Sequence, residues 1–205
     1  MKKIYIYLMT LSLLICHVAC ERHDKEEKID DRGIDSSQLV GEWYHAFASY
    51  VEDISFTQNL RFTGQVYEDL GTSPKVSDNI SGSWAVSSYG NVLSMDVYRT
   101  STGSSDIKNY SVQSWDDYSL NLKDKGNGSI ENYLRVVEIK NMKIGEEYDI
   151  TYTKNNTIIT TSFVSSNSSI VTVSSDGHVA AKSIGIVFIT VSCNVGSFIV
   201  KVEVK

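Results

Sequence analysis

From residue 39 onward, apolar and polar side chains alternate in short stretches with turn residues every eight to twelve positions, and no stretch keeps a helical period. That pattern predicts an all-β chain. Candidate strands lie at 42–50, 54–62, 65–69, 82–87, 92–98, 109–115, 118–123 and 131–137. Their connections carry turn chemistry at Thr63-Gly64, Ser88-Tyr89-Gly90-Asn91, Asp116-Asp117 and Lys125-Gly126-Asn127-Gly128. Seven or eight antiparallel strands joined in sequence by hairpins satisfy their edges by closing into an up-and-down barrel. The polar segment 70–79, which carries Pro74, is the longest unpatterned connection and reads as a lid or mouth loop.

A second β unit occupies 139–205, and the boundary near 137–141 leaves almost no linker. Asp176-Gly177 between two apolar runs predicts a tight hairpin, because that turn needs a residue tolerating positive φ. In Ile186-Val187-Phe188-Ile189-Thr190-Val191, period-two alternation sends Val187, Ile189 and Val191 to a sandwich core. Ile186 and Phe188 are left on the other face as an apolar pair. They read as a contact patch, for a partner or for the barrel, or as residues covered by the second sheet or an edge strand.

The N-terminus is a targeting segment. Lys2 and Lys3 precede an apolar run at 4–15, which at 12 residues is too short to cross a bilayer as a helix and reads as the core of a signal peptide over 1–19. The run ends in Cys16-His17-Val18-Ala19-Cys20, which resembles the lipobox of bacterial lipoproteins. The resemblance implies cleavage after Ala19 and a lipid-anchored Cys20 as the first mature residue; two or three acyl chains hold a protein on a membrane where one does not. A conventional secretory peptide with an unmodified Cys20 is the alternative. Residues 21–35 carry seven acids and four bases, with Ile29 and Ile34 the only aliphatic side chains, so 20–37 is expected to be an acidic, solvated tether. Acidic residues directly after the cysteine also resemble the export signals that carry lipoproteins to the outer face of the outer membrane in some Gram-negative bacteria. With Cys16 removed and Cys20 lipidated, Cys193 has no partner for a disulfide and is expected to be a small buried side chain.

The two β units each resemble a known family. Leu39-Val40-Gly41-Glu42-Trp43, Leu60-Arg61-Phe62-Thr63-Gly64-Gln65-Val66, Gly82-Ser83-Trp84-Ala85-Val86 with Leu93, and Trp115-Asp116-Asp117-Tyr118-Ser119-Leu120-Asn121-Leu122 stand in the order found in bacterial lipocalin-like lipoprotein domains. Over 38–138 this implies a small antiparallel barrel whose interior can hold a ligand, with Trp43 pointing inward near a closed end. His45 shares the Trp43 face and then lines the lumen, where an imidazole needs an internal partner, water or a ligand. By alternation Phe56, Leu60, Phe62, Trp84, Leu93, Met95 and Tyr110 are the other lumen candidates, and in a barrel this small they can also simply fill it. Lys143-Ile144-Gly145-Glu146, Ser165 to Val173 and Ser175-Asp176-Gly177-His178-Val179-Ala180-Ala181 through Gly185 closely resemble the bacterial Ig-like domain of group 2, known from intimin and invasin type surface proteins.

Composition narrows the function classes. The 205 residues are 41% hydrophobic and 21% charged with a net charge of -6, so the chain can build a core but has no basic cluster to grip a polyanion; no nucleic-acid partner is expected. His23, His45 and His178 have no second histidine or cysteine at metal-ligand spacing, and no nucleophile elbow or phosphate-cradling loop appears, so neither metal nor cofactor is expected. Asp124-Lys125-Gly126-Asn127-Gly128 has glycines where calcium ligands belong and reads as a hairpin turn. The neighbouring acids Asp116-Asp117 and Glu146-Glu147 point to opposite strand faces or to water. These parts predict a non-enzymatic surface lipoprotein that binds or adheres, anchored by lipid to the outer membrane of a Gram-negative bacterium. The Ig-like domain, as spacer or recognition element, is expected to stand beyond a membrane-proximal barrel, and a surface glycan or host protein is the expected partner of the whole. The alternative is a carrier of a small apolar or amphipathic molecule in the barrel.

Overall fold

The computed structural model describes residues 33–68, 75–151, 153–154, 157–158, 160–194 and 196–205. The targeting segment, Cys20, most of the expected tether and the first half of the expected mouth loop lie outside the described residues. Eight strands follow a single helical turn, α1 (Ser36–Leu39): β1 (Gly41–Ala46), β2 (Tyr50–Phe56), β3 (Arg61–Glu68), β4 (Lys75–Val86), β5 (Val92–Arg99), β6 (Ser104–Trp115), β7 (Ser119–Asp124) and β8 (Ile130–Met142). Each pairs antiparallel with the next, and β8 returns to β1 through Glu42↔Val136 and Tyr44↔Leu134. The sheet therefore closes and leaves the barrel without free edges.

Alternate residues fill the barrel. Trp43, Ile54, Phe56, Phe62, Ile80, Trp84, Leu93, Met95, Leu120 and Leu122 form one buried cluster. Gly82 on β4 belongs to this wall for a steric reason, since a Cβ there would lie 1.7 Å from the Asp96 carbonyl oxygen on β5. The end of the barrel near the β2–β3, β4–β5 and β6–β7 turns is closed. Asp35 caps α1 by accepting from the Ser37 amide at 2.7 Å while Gln38 accepts from the Asp35 amide at 2.8 Å. This places the fully buried Leu39 under the barrel floor. Ile34, which composition assigns to a solvated tether, is instead 3% exposed, its amide bonded to the Gly90 carbonyl at 2.9 Å. Its neighbour Gly33 lies so close to the β4–β5 turn that the chain has no room there for a side chain.

The remaining strands are β9 (Glu147–Asp149), β10 (Thr153–Lys154), β11 (Thr157–Ile158), β12 (Thr160–Ser165), β13 (Val171–Val173), β14 (His178–Ala181), β15 (Gly185–Cys193) and β16 (Gly196–Val204). The strands β13, β14 and β9 form one sheet; it faces β8, β16, β15 and β12, and Met142, Ile170, Val179, Val187, Ile189 and Val202 fill the space between. The Asp176-Gly177 turn joins β13 to β14, with Gly177 at φ +90. The chain is all-β, an eight-stranded antiparallel barrel followed by a sandwich.

One strand serves both parts. β8 runs unbroken for 13 residues, pairing with β7 and β1 in its first half and parallel with β16 in its second. Ile199 pairs with Val136 but Val200 with Glu138, so Val137 is an extra residue, a bulge. It lies beside the 138/139 boundary read from the sequence, which falls inside this strand. The sandwich packs on the side wall of the barrel over β1 to β3, where Tyr44, Val51 and Tyr67 meet Phe188 and Ile199 in a third buried cluster. The two modules thus lie side by side.

Candidate functional site

The barrel interior is divided along its axis. In the closed half, Phe56 packs against Phe62 and Trp84 with ring centroids 6.0 and 5.4 Å apart, and the Trp84 indole donates to the Arg61 carbonyl at 3.1 Å. Trp43 donates to the Leu39 carbonyl at 2.8 Å, and the Arg135 guanidinium lies 4.2 Å over its ring. Arg135 also donates to the carbonyls of Gln38, of Val40 at 3.1 Å and of Asp117 at 2.8 Å, which ties α1 to the barrel floor. Trp43, Phe56, Phe62, Trp84 and Met95 are all at most 4% exposed and pack on one another as core. Leu60 is not a lumen residue: it sits in the β2–β3 turn at φ +60 and is 45% exposed.

The opposite half, toward the β1–β2, β5–β6 and β7–β8 turns, is polar. Inward positions there hold Glu52, Asp78, Arg99, Lys108, Asp124 and Glu131. Arg99 reaches Glu52 at 3.5 Å and Asp78 at 3.7 Å, and Lys108 reaches Asp124 at 3.6 Å. Tyr133 donates to Glu131 at 3.0 Å. Burial pushes the Glu52 carboxyl up, with Arg99 opposing and the Glu131 carboxylate adding to the rise. Burial likewise pushes the Tyr110 and Tyr133 phenols well above their usual range, with Glu52 and Glu131 reinforcing it. His45 lies here, its Nδ1 2.7 Å from the Asn132 carbonyl and its ring stacked on Tyr133 at 4.8 Å; a bond to that carbonyl requires Nδ1–H. Of the expected lumen set, then, His45 and Tyr110 stand among polar partners, and the other members except Leu60 fill the core. The six inward ionisable groups carry no signal in the sequence, because charged residues in short β segments look like solvent-facing positions.

Segment 70–79 is not one loop. Residues 75–79 belong to β4, where the Asp78 carboxylate accepts from the Ser101 amide at 2.8 Å, and residues 70–74 lie outside the described residues. At Asp124 the carboxylate accepts from the Gly126 amide at 2.6 Å, a hairpin turn. His178 is exposed and bonded to Asp149 at 2.8 Å. Cys193 is half-buried, with its thiol 3.2 Å from the Gly196 carbonyl.

A second polar site lies where the sandwich meets the barrel wall. A groove of about 410 Å3 is lined by Glu42, Asp53, Ser55, Thr63, Gln65 and Ser81 of the barrel, among others, and by Lys201 of β16. The Lys201 ammonium is 2.5 Å from Asp53 Oδ2 and 2.9 Å from Glu42 Oε1. Burial, joined by the Glu42 carboxyl and opposed by Lys201, raises Asp53 to about 7; two carboxyls compete there for one ammonium. Ile186 and Phe188 flank this junction. Phe188 is 1% exposed, its ring 4.7 Å from Tyr44 and 5.7 Å from Tyr67, and Ile186 packs on the same cluster. As a patch offered to an outside partner this pair is withdrawn, because the barrel wall already covers it.

Residues 146–204 match the bacterial Ig-like domain (group 2) family. No curated protein matches the chain. A domain of this group suggests a surface or adhesion-type role in general.

Proposed function

We propose that this chain is a non-enzymatic, lipid-anchored surface protein of the binding or adhesion type, held through Cys20 on the outer membrane of a Gram-negative cell. The observation that supports it most is the Ig-like domain at 146–204 fused side by side to a barrel whose closed half is packed solid. Such a rigid double module recognises partners on its outer faces. The buried carboxyls inside the barrel support a non-catalytic reading, since Glu52, Asp78, Asp124 and Glu131 are each matched to Arg99, Lys108 or Tyr133. Cell fractionation tests the anchor. The wild type should partition with membranes and be shaved by protease added to intact cells, and Cys20→Ser should release it as a soluble species. A wild-type protein found free in the cytosol overturns the proposal.

The carrier reading has one observation in its favour. Arg99 and Lys108 are each 34% exposed at the polar half of the barrel, so an amphipathic ligand would seat its polar end there. A fluorescent amphipathic probe should then bind with loss on Arg99→Gln; no binding by any such probe removes this reading.

A further inference from the structure

We propose that the closed end of the barrel is the surface on which the protein rests against its membrane, with Leu60 and Tyr89 entering the interfacial layer of the bilayer and Arg61 beside its phosphates. The inference rests on the reading of this chain as lipid-anchored through Cys20 and names the face that meets the lipid. It begins from where the chain joins the fold. Cys20 to Arg32 is thirteen residues, at most about 45 Å of backbone, and Gly33 then enters at the closed end. Entry is fixed there: a Cβ on Gly33 would lie 1.8 Å from the Tyr89 carbonyl oxygen, and the Ile34 amide donates to the Gly90 carbonyl at 2.9 Å. The anchor therefore pulls on the β4–β5 turn, and the polar mouth lies a strand length farther off.

Two turn tips at that end carry residues ill suited to water. Tyr89, at the entry point itself, is 82% exposed. Leu60 closes the β2–β3 turn, in which its amide donates to the Thr57 carbonyl at 3.2 Å and the Thr57 amide donates to the Arg61 carbonyl at 2.9 Å. Such a turn sets its last residue at positive φ, a place that glycine or asparagine takes without strain. Leu60 holds it at φ +60 and is 45% exposed. An apolar side chain is thus kept outside at a cost in both backbone and hydration, the pattern of a residue held for contact. The Leu60 carbonyl accepts from the Trp84 amide at 3.0 Å, so the two tips belong to neighbouring hairpins.

Single exposed apolar residues are common on any surface and mark nothing by themselves. Here their company and their place select the occupant. Tyrosine, with an apolar ring and a polar tip, and arginine, whose stem lies along apolar surface while its head stays wet, are residues that settle at a membrane–water interface. Arg61 is exposed directly beside Leu60. The third turn of the closed end, Asp116-Asp117, is exposed and acidic, so the barrel rests tilted onto the side where the chain from the anchor enters. The most exposed apolar side chains toward the mouth, Ile107 and Ile130, stand on strands instead, and Ile107 is flanked by Asp106 and paired with Asp96.

The test adds the protein, purified from the membrane fraction in detergent, to preformed phosphatidylcholine vesicles with brominated chains, which quench tryptophan only at close range. Leu60→Trp, Tyr89→Trp and Thr102→Trp each place one reporter, and the wild type supplies the shared signal of Trp43, Trp84 and Trp115 for subtraction. The reporters at 60 and 89 should be quenched several-fold more than the one at 102, which lies in the β5–β6 turn at the mouth. Leu60→Asn, which suits positive φ, should cut quenching at 89 several-fold while leaving the urea midpoint unchanged or higher, so loss of contact is separated from loss of fold. The proposal is overturned if 102 is quenched as strongly as 60 and 89, if no reporter on vesicle-bound protein is quenched, or if Leu60→Asn leaves position 89 as quenched as before. It is also overturned if the reporters respond to protein concentration and not to brominated lipid, which puts a second copy on this end. A wild type that does not float with the vesicles defeats the anchor reading alone. The closed end is then tested, with the same outcomes, on a chain starting at Cys20 and carrying Cys193→Ser, coupled by the Cys20 thiol to a maleimide lipid.

Discussion

Replacing Phe188 by alanine measures how firmly the two modules are joined. The ring is 1% exposed and packs on Tyr44 and Tyr67 of the barrel from a strand of the sandwich. Truncating a buried phenylalanine costs about 3–5 kcal/mol, because the vacated volume closes only partly. With a urea slope of about 2 kcal/mol per molar, the unfolding midpoint should fall by roughly 1.5–2.5 M. The assay exploits the distribution of tryptophans: Trp43, Trp84 and Trp115 all lie in barrel strands, so their fluorescence reports barrel unfolding alone. Ile189→Ala is the companion variant, since Ile189 is fully buried in the sandwich core and absent from the junction cluster. If β8 and the junction make one cooperative unit, both variants move the tryptophan transition, and circular dichroism gives the same midpoint. A tryptophan midpoint that stays at the wild-type value in Phe188→Ala refutes the coupling.

Three further outcomes follow from the same contacts. Asp53 keeps up to about pH 7 a proton that the unfolded chain releases near the ordinary aspartate value of 3.8, so the folded state binds more protons in that window and stability falls as pH rises through it. His178, raised first by its Asp149 hydrogen bond, loses stability in the same sense as pH rises, so the difference between wild type and Asp53→Asn in midpoint against pH isolates Asp53; an unchanged slope sinks the assignment. Arg135→Met should cost about 2–3 kcal/mol in urea unfolding by removing charged donors from the carbonyls of Gln38, Val40 and Asp117 and a cation from the Trp43 face. Arg135→Lys should recover less than half of it, lacking the fork. Gly82→Ala should lose at least about 3 kcal/mol or fail to fold, because the new methyl meets backbone oxygen, whereas Gly103→Ala, with open space around it but φ +64, should lose about 1.

Alternation by itself makes the all-β class, the later barrel strands and the sandwich core legible. It predicts a strand at 92–98, where Val92–Arg99 runs, and it sends Val187, Ile189 and Val191 inward, as they lie. The first hairpin is not legible. Phe47-Ala48-Ser49 turns the chain without glycine, proline or asparagine, while Glu52 and Asp53, which look like turn residues, sit mid-strand and buried. Their partners are Arg99 and Lys201, dozens of residues away, and local patterning has no access to such pairings. The polar site in the groove is hidden for the same reason: its polar row faces outward and looks like ordinary solvated surface until Lys201 arrives from the other module.

The bulge at Val137 carries a consequence for how such a protein can diversify. Inward residues on β8 are Glu131, Tyr133 and Arg135 in the barrel, yet the sandwich core takes Met142, so the strand changes parity on the way. Loss of that one residue would turn Met142 out to water and break the ladder to β16. Recombination at this point therefore cannot treat the two halves as interchangeable cassettes; a foreign Ig-like domain would be accepted only if it brought its own half of a shared strand, in the right phase.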